Sequence, residues 1–182
     1  APLKQALLDA KIGGDIMGGF DSGILQPYFS VIAKDARADQ KGEFLAVVKG
    51  TLRKLANEGL NRKSLLAAMN YYEFKYREAD YGNYPKGLMY GLQIFDSWLY
   101  DETKPFIHVE ALDTFAFLKE QINTGYFEKL IQTYLLDNQH GALVTIVPEP
   151  GRTARLDAEL KEKLQAYKES LSREEIEKLV TD

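Results

Sequence analysis

Apolar residues recur along most of this chain at intervals of three and four, the spacing that lines up one face of an α-helix. The pattern is clearest over 42–58, where Phe44, Val47, Val48, Leu52 and Leu55 share one stripe and Gly59 supplies a stop. Asn61 is suited to cap the next helix. In that helix Leu65, Leu66, Met69 and Tyr72 fall on one face, while Glu73 and Arg77 are spaced to pair on the outer side. Gly82 interrupts the pattern. Pro85 biases Tyr84 away from helical angles and suits the start of a further helix, striped by Leu88, Leu92, Phe95, Trp98 and Leu99. The stretch 70–99 therefore reads as two helices joined by a tight polar elbow, Ala79 to Gly87.

Elsewhere the period changes. Leu3, Leu7 and Leu8 mark a short opening helix that Gly13-Gly14 is expected to end. Residues 15–20 and 26–33 then read as two strands around a turn at Asp21-Ser22-Gly23. Phe29, Val31 and Ala33 alternate with Tyr28, Ser30 and Ile32, so both faces are apolar, as expected of a sheet covered by helices. Pro27 suits a strand start or an edge. A polar loop, 101–105, precedes a helix carrying Val109, Leu112, Phe115 and Ile122 and closed by Gly125. Phe127, Leu130, Ile131 and Tyr134 mark the next helix. A turn at 137–140 leads into a predicted strand, 142–147, ended by Pro148 and Pro150. The fold class is therefore α+β, with helices on a small, mainly antiparallel sheet. About three strands make a thin sheet for so many apolar helices, and strands completing it are expected to lie outside the chain.

The tail differs in kind. Leu156, Leu160, Leu164, Tyr167 and Leu171 form a thin stripe in a Lys-, Glu- and Ala-rich background, and Ser172 with Glu175 has the capping-box pattern of a separate last helix. A narrow stripe suits a helix laid across a surface. The expected division is a domain over 1–151 and a helical linker or docking arm over 152–182, an ordinary terminal helix being the plainer alternative.

Composition narrows function mainly by exclusion. The chain has 182 residues, 45% of them hydrophobic and 27% charged, the make-up of an ordinary globular domain. A net charge of −4 leaves no electrostatic footprint for nucleic acid, and no apolar run approaches the roughly 20 residues of a membrane span. Neither kind of partner is expected. The absence of cysteine removes disulfide and thiolate chemistry and fits a reducing compartment. A bacterial cytoplasm is the expected location, with an organelle as the alternative. The chain opens at Ala1-Pro2 without Met, which points to processing or to a piece of something longer.

Reactive groups do not assemble into a self-sufficient site. The histidines, His108 and His140, are far apart in sequence and form no HxxEH or HExxH pair; polar turn positions are the plainer reading. Ser30, His140 and an Asp lack any GxSxG context. Glycines 18, 19 and 23 have no Walker lysine after them and read as hairpin geometry. Glu174-Glu175 and Glu73/Glu78 read as solvated helix faces, and Tyr71, Tyr72, Phe74 and Tyr76 as packing. Lys86 at a helix start is a weak anion-binding signal. No catalytic, metal-ligating or cofactor-binding residue is assigned, and whether the elbow at Ala79 to Gly87 touches substrate stays open.

Beyond these physical readings, several strings carry a family resemblance. EFKYREADYGNYPKGLMYGL at 73–92 resembles the corresponding segment of presequence-protease-type enzymes, a branch of the insulysin/pitrilysin superfamily of zinc metallopeptidases. Ser97-Trp98-Leu99-Tyr100-Asp101 with Pro105-Phe106 is similar to that branch's W-(I/L)-Y-D…PF stretch. Leu130 to His140 resembles its LI-x-x-Y-(I/L)-L-(D/N)-N-x-H helix end, and Leu143 to Gly151 its V-x-x-x-P-x-P continuation. Ala1-Pro2-Leu3 with Ala6-Leu7-Leu8, followed by Gly14-Asp15, resembles its opening helix. The motifs fall in order over nearly the whole chain.

The resemblance implies a place within a larger protein. Such enzymes have two halves of two similar domains each, with the zinc motif HxxEH in the first domain. This chain resembles the second, catalytically silent domain, without its first strand and helix, plus the start of the linker joining the halves. Zinc is then implied for the parent enzyme only. The partners implied are the remaining domains of the parent and, through it, unstructured peptide substrates. The fragment itself is expected to be inactive, forming part of the wall of a peptide-enclosing chamber. The alternative is an independent peptide- or protein-binding module. A sheet cut open is also expected to self-associate through its free edge.

Overall fold

The computed structural model describes residues 1–181. Helix α1 (Pro2–Asp9) leads into an antiparallel hairpin, β1 (Asp15–Asp21) and β2 (Tyr28–Lys34). Then follow α2 (Lys41–Glu58), α3 (Arg62–Glu78), α4 (Lys86–Trp98), α5 (Leu112–Glu120) and α6 (Tyr126–Leu130), the last running into a π-helical turn over Ile131–Leu136. Helices α7 (Arg152–Ser170) and α8 (Arg173–Thr181) complete the order. The fold is α+β, with a two-stranded sheet among the described residues. Internal contacts divide the chain into one unit over 1–144 and another from 145 onward. No described helix is long and apolar enough to cross a membrane.

The core of the first unit begins at the chain's opening. Leu7 and Ile12 are completely buried and meet Ile16 of β1. Val31 and Ala33 of β2 and Phe44, Val47 and Val48 of α2 pack around them. In the hairpin register Ile16 faces Ala33 and Gly18 faces Val31, which puts one face of the ribbon on this core. The other face is not covered by helices: Met17, Tyr28 and Ile32 are about half exposed. The expectation of a sheet buried on both sides fails for that reason.

Two short-range details set this start. Helix α1 stops at Asp9, ahead of the Gly13-Gly14 expected to end it, because Lys11 already turns the chain with a positive φ of 55°. Gly13 is needed for a different purpose. Its φ is +75°, and a Cβ there would stand 2.8 Å from the Lys34 carbonyl oxygen, which Gly14 N–H meets at 2.8 Å. Only the smallest residue lets the backbone close onto β2 there. Buried Gln40 secures the same corner. Its side-chain amide donates to the Lys11 carbonyl at 3.3 Å and its oxygen accepts from Arg37 N–H at 3.3 Å.

Helix α2 turns Leu52 and the expected stripe inward. Gly59 ends it with φ of +89°, and Asn61 caps α3 by accepting from Ser64 N–H at 2.9 Å. The predicted strand at 142–147 does not form. That stretch is without secondary structure, and Ile146 is 91% exposed. An apolar run becomes a strand only by hydrogen-bonding to another, and no described segment pairs with it.

In the second unit, the capping box at the start of α8 is present: Glu175 accepts from Ser172 N–H and hydroxyl, both at 2.8 Å. Arg155 bridges Glu149 and Glu159 at 3.1 and 3.3 Å. The thin stripe on α7 is about half exposed throughout. Asp182, the end of the expected arm, lies outside the described residues.

Candidate functional site

The residues singled out from sequence do not converge. Ser30 Oγ donates to the Gly19 carbonyl at 3.4 Å, across the hairpin. His140 stands in an exposed turn, its backbone N–H held by Asn138 Oδ1 at 2.8 Å. His108 is half-buried in the loop before α5. Among the described residues no three of His, Cys, Asp and Glu come together in a group that could hold a metal ion. The donor set therefore does not fit the zinc that the family resemblance implies for a parent enzyme.

The elbow between α3 and α4 is a built structure. Ala79, buried, ends α3 in the left-handed region with φ of 47°. Asp80 Oδ1 accepts from Gly82 N–H at 2.9 Å. Lys86 Nζ donates to the Glu78 carbonyl at 3.2 Å, so this lysine caps the end of α3. That corrects the anion-binding reading: a cation at a helix C-terminus satisfies free carbonyls. Gln93 donates to the Tyr81 hydroxyl at 2.9 Å, and the Tyr81 and Tyr90 rings meet edge to face.

Beyond α4 the polar loop is pinned from inside. Buried Ser97 donates from Oγ to the Lys104 carbonyl at 2.7 Å. Asp101 accepts from the Thr103 hydroxyl at 2.6 Å and N–H at 3.0 Å and pairs with Lys104 at 3.0 Å. The Thr103 hydroxyl first, and Lys104 after it, hold the Asp101 carboxyl down at about 2.

Between α3 and α5 lies a polar cluster that sequence reasoning misplaced. Glu73 does pair with Arg77, at 2.7 Å, but it also pairs with Lys119 of α5, and its side chain is mostly buried. It faces inward, contrary to the solvated face expected of it. Beside it Tyr76 donates to the Val109 carbonyl and accepts from Ala111 N–H at 2.9 Å, tying α3 to the start of α5. The inward face of α3 thus runs through Leu65, Met69, Glu73 and Tyr76, whereas Tyr72 is exposed. Tyr71 and Phe74 are exposed too, so only Tyr76 of the aromatic group packs inward.

Two outcomes follow for this cluster. Tyr76→Phe leaves the Ala111 amide without its acceptor and the Val109 carbonyl without its donor. It is expected to cost about 1–3 kcal/mol, read as a lower urea midpoint. The second concerns pH. Lys119, and after it Arg77, hold the Glu73 carboxyl below its ordinary value of 4.5. A carboxylate more acidic when folded than unfolded adds stability above its unfolded pKa and loses it as the pH falls through the folded one. Stability should decline as the pH is lowered through and below the ordinary 4.5, and Glu73→Gln should flatten that decline. Urea titrations at stepped pH check this; an unchanged acid limb in the variant would remove Glu73 from the account.

A third polar contact, between α6 and the α2–α3 junction, went unforeseen. Glu128 is 9% exposed. Its Oε1 accepts from Leu60 N–H at 2.9 Å and from the Arg62 guanidinium at 2.7 Å, while Oε2 is buried without a hydrogen-bond partner. Burial pushes this carboxyl up. The Leu60 amide, its own backbone N–H and Arg62 together outweigh that and hold it below the ordinary value. A glutamate in the first turn of a short helix carries no sequence signal of burial, which is why it was not singled out.

These arrangements are structural staples: apart from Glu128 Oε2, the polar groups named are engaged with the fold. No protein-family profile matches the chain. Individual proteins do. The chain is 40% identical over 180 residues to a Clostridium perfringens protein named Protein HypA, covering 99% of this chain and 18% of that one. It is 29% identical to presequence protease 1, chloroplastic/mitochondrial, of Arabidopsis thaliana, covering 98% of the chain and 17% of that protein. It is 26% identical to the mitochondrial presequence protease of Schizosaccharomyces pombe, covering 97% of the chain and 18% of that protein. The chain thus spans 17–18% of the length of these curated relatives. Two of these relatives are named presequence proteases.

Proposed function

We propose that these residues are a non-catalytic structural portion of a larger zinc-dependent metalloendopeptidase of the insulysin/pitrilysin superfamily, in its presequence-protease branch. In this reading they form part of the wall around a chamber that encloses unstructured peptides, and the zinc and the reacting groups belong to other parts of the longer polypeptide. The observation that carries the reading is the match of 97–99% of this chain to under a fifth of the length of relatives several times longer, two of them proteases by name. The donor set is compatible with it: among the described residues no three of His, Asp and Glu come together in a group that could hold a metal ion.

The test compares the 182-residue chain with the longer polypeptide that contains it. Zinc titrated into the chain should bind without one-equivalent stoichiometry and leave its melting temperature unchanged, and the chain should not hydrolyse a fluorogenic peptide. The longer polypeptide should hydrolyse it and lose that activity to a chelator. One tightly held zinc in the chain alone would overturn the proposal. Calorimetric binding of an unstructured peptide by the chain alone would favour an independent peptide-binding module instead.

A further inference from the structure

Helix α4 is turned inside out relative to its sequence. Two of its polar residues face the rest of the unit, beside half-buried Met89 and Ile94: Ser97 is 7% exposed and bonded to the Lys104 carbonyl, and Gln93 is bonded to Tyr81. Its apolar stripe faces water. Leu88, Leu92, Phe95, Trp98 and Leu99 are between 47% and 68% exposed, and Phe95 and Trp98 stack on each other. A contiguous apolar strip of this kind marks an interaction surface.

The stripe's spacing says what fits. Leu88, Leu92, Phe95 and Leu99 alternate steps of four and three, the seam along which one helix packs on another. Within the helix only Lys86 and Asp96 carry charge, so apolar complementarity has to supply the affinity. The length comparison says where the occupant comes from, since relatives matched across this whole stretch carry about four-fifths of their length beyond it. We propose that the outward stripe of α4 is a seam against an amphipathic helix of the same longer polypeptide, outside residues 1–182. This rests on the reading of the chain as part of a larger protein.

The experiment places a photo-reactive amino acid at Leu92, and separately at exposed Tyr134 as control, in the full polypeptide expressed from its own gene. An isotope-mixed preparation separates contacts within one polypeptide from contacts between copies. The expected result is cross-links from position 92 to peptides outside 1–182 of the same polypeptide, at least about tenfold more abundant than from position 134. Equal yields, links confined to 1–182, or links to a second copy would overturn the seam. An immunoblot separates the two levels of failure. A native product of only 20.6 kDa would sink the larger-protein reading itself, whereas a much larger product without such links sinks the seam alone. As a second measurement, Leu92→Glu with Phe95→Glu should leave the melting temperature of the 182-residue chain unchanged and lower that of the full polypeptide. Equal effects on both would count against the seam.

Discussion

Ile12→Ala and Leu7→Ala are each expected to destabilise the first unit by about 2–5 kcal/mol. Both side chains are completely buried, and together with Ile16 they are the cluster on which α1, the hairpin and α2 meet. Truncation removes buried methyl groups and leaves a cavity, and neighbours held by a sheet register and a long helix relax only in part. The fold has few such residues: Leu52, Met69 and Ile122 are the other large apolar side chains that are buried among those described. A domain's net stability is on the order of 5–15 kcal/mol, so either variant should shift the urea midpoint severely or leave the chain unfolded. Val144→Ala, at a mostly exposed position, should move it by less than about 0.5 kcal/mol. Equal effects at positions 12 and 144 would mean that the core is misplaced.

The second large effect is expected at Glu128. Glu128→Ala removes the acceptor of the Leu60 amide and the partner of Arg62, and should cost about 1–3 kcal/mol. Glu128→Gln separates the two contributions. It keeps an oxygen for Leu60 and abolishes the charge, so it should cost less at neutral pH. It should also remove part of the stability loss below the ordinary carboxylate pKa of 4.5, since the native carboxyl is held lower than that. Thermal melts of both variants at stepped pH check this. Identical losses for Ala and Gln would mean that charge pairing alone matters.

How far the sequence could be read differs from residue to residue. The helix over 41–58 was legible because its stripe, its Gly59 stop and the Asn61 cap after it are all local signals, and local signals do not depend on what the chain meets. The hairpin was legible by the same logic, through alternation, but its turn was placed too early: Asp21 pairs with Tyr28, and the connection runs over 22–27. At α3 the period was right and the face was off, with Tyr76 turned inward in place of Tyr72. Periodicity fixes that residues share a side; which side is covered depends on the neighbour, here α5 with Lys119 and the start at Ala111. The same limit explains the solvated face assigned to Glu73 and the silence about Glu128. The stretch at 142–147 shows the remaining failure, because a strand needs a second strand and composition cannot supply one.

By itself, then, the sequence determined the helix over 41–58 with its Gly59 stop, the Asn61 cap of the next helix, the presence of a hairpin after α1, and the α+β class, because capping, glycine stops and side-chain period act within a few residues. It also carried the likeness to peptidase segments, which is a property of residue order. The tertiary structure alone decided which faces are covered, that Glu73 and Glu128 become inward staples, and that α4 shows its apolar side to water. Those outcomes depend on surfaces brought together from distant parts of the chain, and burial is defined only once those surfaces meet.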